Sequence, residues 1–209
     1  MQKKLFVLLI SIIQLNLVTA QNKDFVGRIL YKNTFFSPTG VDITPQAAVV
    51  MGAEQDYYIN GRDYKSICNG TAITMQLFKH ESNRYYMVLP NKTAQVLDIS
   101  AKGDTVLSIT HSKKDTMILG RKCKSMVIKE SKSTTTYFYD PSLKVNKDNF
   151  KKHNFGNFNR YLQESNGALP IKYTVVNQAF TWDAEATKIE NMTLSDKDFE
   201  LGADIMVKE

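Results

Sequence analysis

Residues 116–140, TMILGRKCKSMVIKESKSTTTYFYD, decide the reading of the whole chain. In KSMVIK, Met126 and Ile128 fall on one side and Ser125 and Val127 on the other. TTTYFYD continues the alternation with β-branched and aromatic residues. A period of two built from Val, Ile, Thr, Tyr and Phe is the signature of a strand. Gly120-Arg121 breaks TMIL from KCKSMVI, and a short polar stretch separates the next run. Strands joined by such brief breaks pair antiparallel as hairpins.

The same pattern extends in both directions. DFVGRILYK sets Phe25, Gly27, Ile29 and Tyr31 on one face. AITMQLF groups Ile73, Met75 and Leu77 opposite Thr74 and Gln76, and RYYMVL begins the next run. AQVLDI, TVLSIT, LPIKYTVV and ATKIENMTL are further strands. Asn60-Gly61, between DYYI and RDYKSI, is the strongest short hairpin signal in the chain. PNK at 90–92 and AKGD at 101–104 link further pairs, so the expected arrangement is a meander with neighbours in chain order. Two stretches do not alternate. Residues 37–53 form an irregular excursion with a short helix after Pro45, and residues 147–165 are helical in part, weakened at Gly156.

The first twenty residues, MQKKLFVLLISIIQLNLVTA, place two lysines before an apolar run and end on small side chains. This is the pattern of a secretory leader cleaved between Ala20 and Gln21. The apolar run is short for a span, and no later segment approaches 18 apolar residues, so no membrane span is expected. Removing 20 residues from 209 leaves 189, which suits one domain over 21–209, and lowers the formal charge from +6 to +4. A small, dispersed basic excess does not point to nucleic acid. Export to a periplasmic or extracellular location bears on the two cysteines, which usually pair in an oxidising compartment. A Cys68–Cys123 disulfide is expected, closing a loop of about 55 residues and contributing about 3–4 kcal/mol; two separate buried thiols are the alternative.

Catalytic signatures are sparse. His80, His111 and His153 are far apart, and none has a second histidine at metal-ligand spacing. They read as surface or half-buried side chains. HESNR at 80–84 begins like a zinc-protease motif, but Arg84 stands where the second ligand belongs. There is no phosphate loop, dinucleotide fingerprint or nucleophile elbow. WDAE at 182–185 and SDKD at 195–198 lack the spacing of a calcium loop and read as turns. No enzyme, cofactor or metal is expected.

Several segments carry a resemblance in their order. They are the opening Phe25-x-Gly27-x-Ile29-x-Tyr31, then ILGRKCKSMVI at 118–128 and ALPIKYTV at 168–175, and lastly ATKIENMTLSDKDFEL at 186–201. Together they resemble a family of secreted Bacteroidota proteins with a LolA/LolB-like fold. The resemblance implies a mainly β, α+β domain: one curved antiparallel sheet, an incomplete barrel, wrapped around one or two helical inserts. It also implies an apolar concavity, which is either plugged by the insert at 147–165 or holds a ligand. On that reading the inner-face candidates are Ile73, Met75, Leu77, Tyr85, Met87, Leu89, Met126 and Ile128. The expected function is that of a non-enzymatic binding or carrier protein for a lipid, acyl chain or other apolar molecule. The alternative is an accessory subunit contacting a cell-envelope protein through its sheet edges.

Overall fold

The structure, a computed structural model, describes residues 24–101 and 103–208. The expected leader and its cleavage point at Ala20-Gln21 lie outside the described residues. Among the described residues thirteen strands form: β1 (Gly27–Phe36), β2 (Glu54–Ile59), β3 (Tyr64–Cys68), β4 (Met75–Lys79), β5 (Arg84–Val88), β6 (Thr93–Leu97), β7 (Val106–His111), β8 (Thr116–Ile118), β9 (Arg121–Glu130), β10 (Ser133–Lys144), β11 (Ala168–Asn177), β12 (Thr181–Asn191) and β13 (Met206–Lys208). Two α-helices, α1 (Thr44–Met51) and α2 (Phe158–Glu164), interrupt them where the sequence stops alternating.

The strands make one open, curved, mixed sheet in the order β13-β6-β5-β4-β3-β2-β1-β12-β11-β10-β9-β7, with β8 paired to β9 off this path. It consists of two meanders, β2 to β6 and β9 to β12, joined through β1, which pairs with both β2 and β12. Two expectations need correction. The sheet is not wholly antiparallel, because β13 returns parallel to β6. The AKGD segment does not close a hairpin either, since β6 and β7 lie toward opposite edges.

That separation shows how far the sheet rolls. Ten inter-strand steps at about 4.8 Å put β6 and β7 some 48 Å apart along the sheet. The chain from Leu97 to Val106 can span at most about 32 Å. The sheet must therefore curve, and the 98–105 connection bridges its open side. There it is tied to the helical insert: the Asn154 amide donates to the Ile99 carbonyl (2.8 Å), and Asn157 Nδ2 donates to the Asp104 carbonyl (3.0 Å).

One apolar core fills the concave side. Ile29 and Tyr31 of β1, Tyr64, Phe78 and Tyr85 of β3–β5, and Met126 and Ile128 of β9 are buried in the same cluster as Phe150, Tyr161 and Leu162 of the insert. β1 follows its predicted alternation, with Gly27, Ile29, Tyr31, Asn33 and Phe35 all buried. Gly27 is required by proximity: a Cβ there would stand 2.0 Å from the Glu190 carbonyl oxygen on β12. At the β2–β3 turn, Asn60 Oδ1 accepts from the amides of Arg62 and Asp63, and Gly61 takes φ +91°. This is the hairpin that Asn60-Gly61 predicts.

The convex side has a smaller core. A 3-10 turn, Asp196–Phe199, packs on β4, with Phe199 fully buried. Leu77, Val88 and Ala94 are buried on this face of β4–β6. Lys65 Nζ donates to the Asp198 carbonyl, and Arg62 pairs with Asp196 (2.7 Å), fastening the turn to the β2–β3 hairpin.

Candidate functional site

A hollow of about 310 Å³ remains on the concave side, between the sheet and the insert. Its wall is mainly aromatic. β1 to β5 contribute Tyr31, Tyr57, Tyr64 and Tyr85; β10 to β12 contribute Tyr137, Tyr173 and Trp182; the insert contributes Phe155 and Phe158. Rings pack against one another within the wall: Tyr57 and Tyr64 on adjacent strands lie 5.2 Å apart, Tyr173 and Trp182 5.2 Å, and Tyr85 and Phe155 of the insert 5.1 Å. The insert therefore plugs most of the concavity without filling it, because its left-handed Gly156 and Asn157 (φ 58° and 50°) turn the chain at the rim. The hollow reaches the surface there, beside Phe155, which is 46% exposed.

Polar groups are set into this wall in defined pairs. Tyr173 donates to Gln55 Oε1 (3.1 Å), and Gln55 Nε2 donates to Ser66 Oγ (2.8 Å). The Tyr64 hydroxyl and His153 Nε2 share a hydrogen bond of 2.6 Å. Tyr31 donates to the Pro170 carbonyl, and Trp182 Nε1 to Asn33 Oδ1 (3.0 Å). Tyr57 also lines the hollow, but its hydroxyl is buried with no protein partner, as is His153 Nδ1. At the rim, Glu130 Oε1 accepts from Asn157 Nδ2 and Oε2 from Ser133 Oγ (2.6 Å). No lysine or arginine lines the hollow among the described residues.

Burial sets the protonation states. His153, only 1% exposed, has its pKa pushed down to about 4 by desolvation, so the ring is neutral at pH 7. This corrects the sequence expectation of surface or half-buried histidines; His153 sits in the aromatic core, 4.9 Å from the Phe78 ring. Burial also raises Tyr57, Tyr64 and Tyr137, and the negative Glu130 adds to the shift at Tyr137. The tyrosines are protonated hydrogen-bonding groups, not phenolates.

The inner-face candidates divide between the two sides of the sheet. Tyr85 lines the hollow, and Met87, opposite Gln76, shares its face. Met126 and Ile128 lie opposite Tyr137 and Thr135, two lining residues, on the same face, and are buried in the concave core without lining the hollow themselves. Leu77 and Met75 point the other way, toward the convex core; Ile73 and Leu89 fall just outside β4 and β5. The reason is that β4 is covered on both faces, so its apolar set MxL is not diagnostic, and the residue it offers the hollow is Gln76. The expected disulfide also needs correction: Cys68 and Cys123 are free thiols. Cys68 ends β3 and Cys123 lies on β9, with β2, β1, β12, β11 and β10 between them in the sheet. Burial raises the pKa of both.

Among the described residues there is no cluster of three or more His, Cys, Asp or Glu side chains able to hold a metal, and no helix long and apolar enough to cross a membrane. No protein-family model and no curated protein sequence matches the chain. Solved structures do. PNGF-II, in its P21 and C2 crystal forms, aligns over 88% of this chain with TM-scores of 0.53 and 0.52 at 18% and 15% identity. The chain covers 31% of PNGF-II, about a third of its length. A LolA superfamily protein from Nitrosomonas europaea aligns over 85% of this chain and 90% of its own, with a TM-score of 0.38 and 8% identity. The likeness to PNGF-II is one of fold: a mainly β chain built on one open, curved sheet.

Proposed function

We propose that this chain is a non-enzymatic binding or carrier protein of the cell exterior or periplasm, which takes a small, predominantly apolar molecule into the hollow between sheet and insert. The observation that carries the reading is the hollow itself: a fold with enough aromatic side chains to close its concave side leaves about 310 Å³ open to the rim. That is the lower end of the range for small-molecule sites, which are mostly apolar with a few placed polar groups. Catalysis has less support. The Tyr64–His153 pair joins a neutral imidazole to a protonated phenol, with no nucleophile bonded to either.

The test is native mass spectrometry of protein exported with its leader and purified without detergent. A discrete added mass, lost on organic extraction, is the expected result. A bare mass, together with no uptake of apolar fluorophores by the purified protein, would overturn the reading. The sheet edges would then be the place to look for a protein partner.

A further inference from the structure

The charge of the wall narrows what the hollow accepts; this inference rests on the reading of the hollow as a binding site. Nine of its lining residues are aromatic, none is lysine or arginine, and the single lining carboxylate is Glu130. Both Glu130 oxygens are held by neutral donors, Asn157 and Ser133, and no cation pairs with it among the described residues. Lys129, adjacent to Glu130, is exposed on β9, where successive side chains alternate faces, and Lys132, two residues further on, pairs with Asp104 at 3.2 Å. A carboxylate or phosphate entering this space would lose its hydration without gaining a counter-charge, and would approach Glu130. Such uncompensated burial is strongly unfavourable. An ammonium group meets the opposite situation, since ring quadrupoles and a carboxylate both favour positive charge in a partly dry site.

We propose that the hollow selects an organic cation: an amine or quaternary ammonium carried on an apolar body, with the charge near Glu130 and the apolar part among the tyrosines. Glu130 is the specificity-determining residue.

Three ligands of nearly equal size separate charge from shape: 4-tert-butylbenzylamine, 4-tert-butylbenzyl alcohol and 4-tert-butylbenzoate. Trp182 is the only tryptophan in the chain and lines the hollow, so its fluorescence reports occupancy. The expected order is amine, then alcohol, then benzoate, with the amine at least tenfold tighter than the alcohol at pH 7. Glu130→Gln, which keeps the oxygen that accepts from Asn157, should bring the amine-to-alcohol affinity ratio down from tenfold or more to near one. Should Glu130→Gln fail to fold, the fall of the amine-to-alcohol ratio with added salt in the unaltered protein tests the same point. Alcohol binding as tight as amine binding, or benzoate tightest, overturns cation selection and leaves the hollow a binding site. Failure of all three to bind removes the site itself.

Discussion

Two tyrosines in one hollow should respond with opposite sign to loss of the same atom. Tyr64→Phe removes the hydroxyl bonded to His153 Nε2 and leaves that nitrogen unpaired in a site 1% exposed. A buried polar group stranded in this way costs about 1–3 kcal/mol. Tyr57→Phe removes a buried hydroxyl that has no protein partner, so nothing is stranded and a desolvated group is relieved. The expected changes are a loss of roughly 2 kcal/mol for Tyr64→Phe and a gain of up to about 1 kcal/mol for Tyr57→Phe. For a chain of this size, about 2–4 °C of melting temperature accompanies each kcal/mol. Scanning calorimetry at pH 7.5 should therefore place the two variants on opposite sides of the parent, separated by roughly 6–12 °C when the gain is near 1 kcal/mol. If Tyr57→Phe loses as much stability as Tyr64→Phe, the Tyr57 hydroxyl is engaged within the fold and the reasoning fails.

The buried His153 makes stability depend on pH. Its folded pKa of about 4 lies below the ordinary 6.5, so the unfolded chain takes up a proton first as pH falls. Its contribution is intact above pH 6.5, declines between 6.5 and 4 by about 3 kcal/mol in all, and levels below 4. His153→Gln should flatten that segment of a urea-midpoint profile, and an unchanged profile would show that another group governs it. Gly27→Ala must push the Glu190 carbonyl away from a 2.0 Å approach, which should cost at least about 2 kcal/mol in urea unfolding; a cost below 0.5 kcal/mol would mean that β1 and β12 separate freely. Denatured protein should titrate two thiols, and dithiothreitol should leave the melting temperature unchanged. A reductant-induced fall would restore the Cys68–Cys123 bond.

Strands were legible in the sequence because their side chains carry the period directly, as in Gly27–Phe36, where every second residue is buried. The Asn60-Gly61 turn and the insert at 147–165 were legible for the same local reason. The strand order was not, because the β6–β7 connection is only eight residues long and carries a turn signal, yet crosses the open side of a rolled sheet. Nor could the inner face of β4 be read. Its convex face is covered by Phe199, more than a hundred residues later, so apolar character there says only that something covers it. The tyrosines that line the hollow look like ordinary strand residues, since Tyr satisfies β-propensity whether or not space is left before it. The one local hint was polar: Gln55, Ser66 and Gln76 recur on strands whose same-face neighbours are aromatic.

That polar recurrence bears on why the hollow persists. A core under selection for stability alone would replace Gln55, Ser66 and the Tyr57 hydroxyl with apolar groups, because satisfied or not they contribute less than packed hydrocarbon. Gln55 instead spends both ends of its amide bridging Tyr173 on β11 to Ser66 on β3, which ties the Tyr173 ring of one meander to strands β2 and β3 of the other across β1 and β12. The bridge holds the walls apart as much as together, since the Tyr173 ring cannot rotate inward without breaking it. A wall braced from behind, a hydroxyl left free at Tyr57 and an unpaired carboxylate at the rim all cost stability in the empty protein. A ligand bearing an ammonium group and an apolar body would compensate for the carboxylate and the braced wall when it enters. The stabilising Tyr57→Phe change should on this ground leave amine binding in place, because the charge is read at Glu130 and the Tyr57 hydroxyl is buried away from the open space.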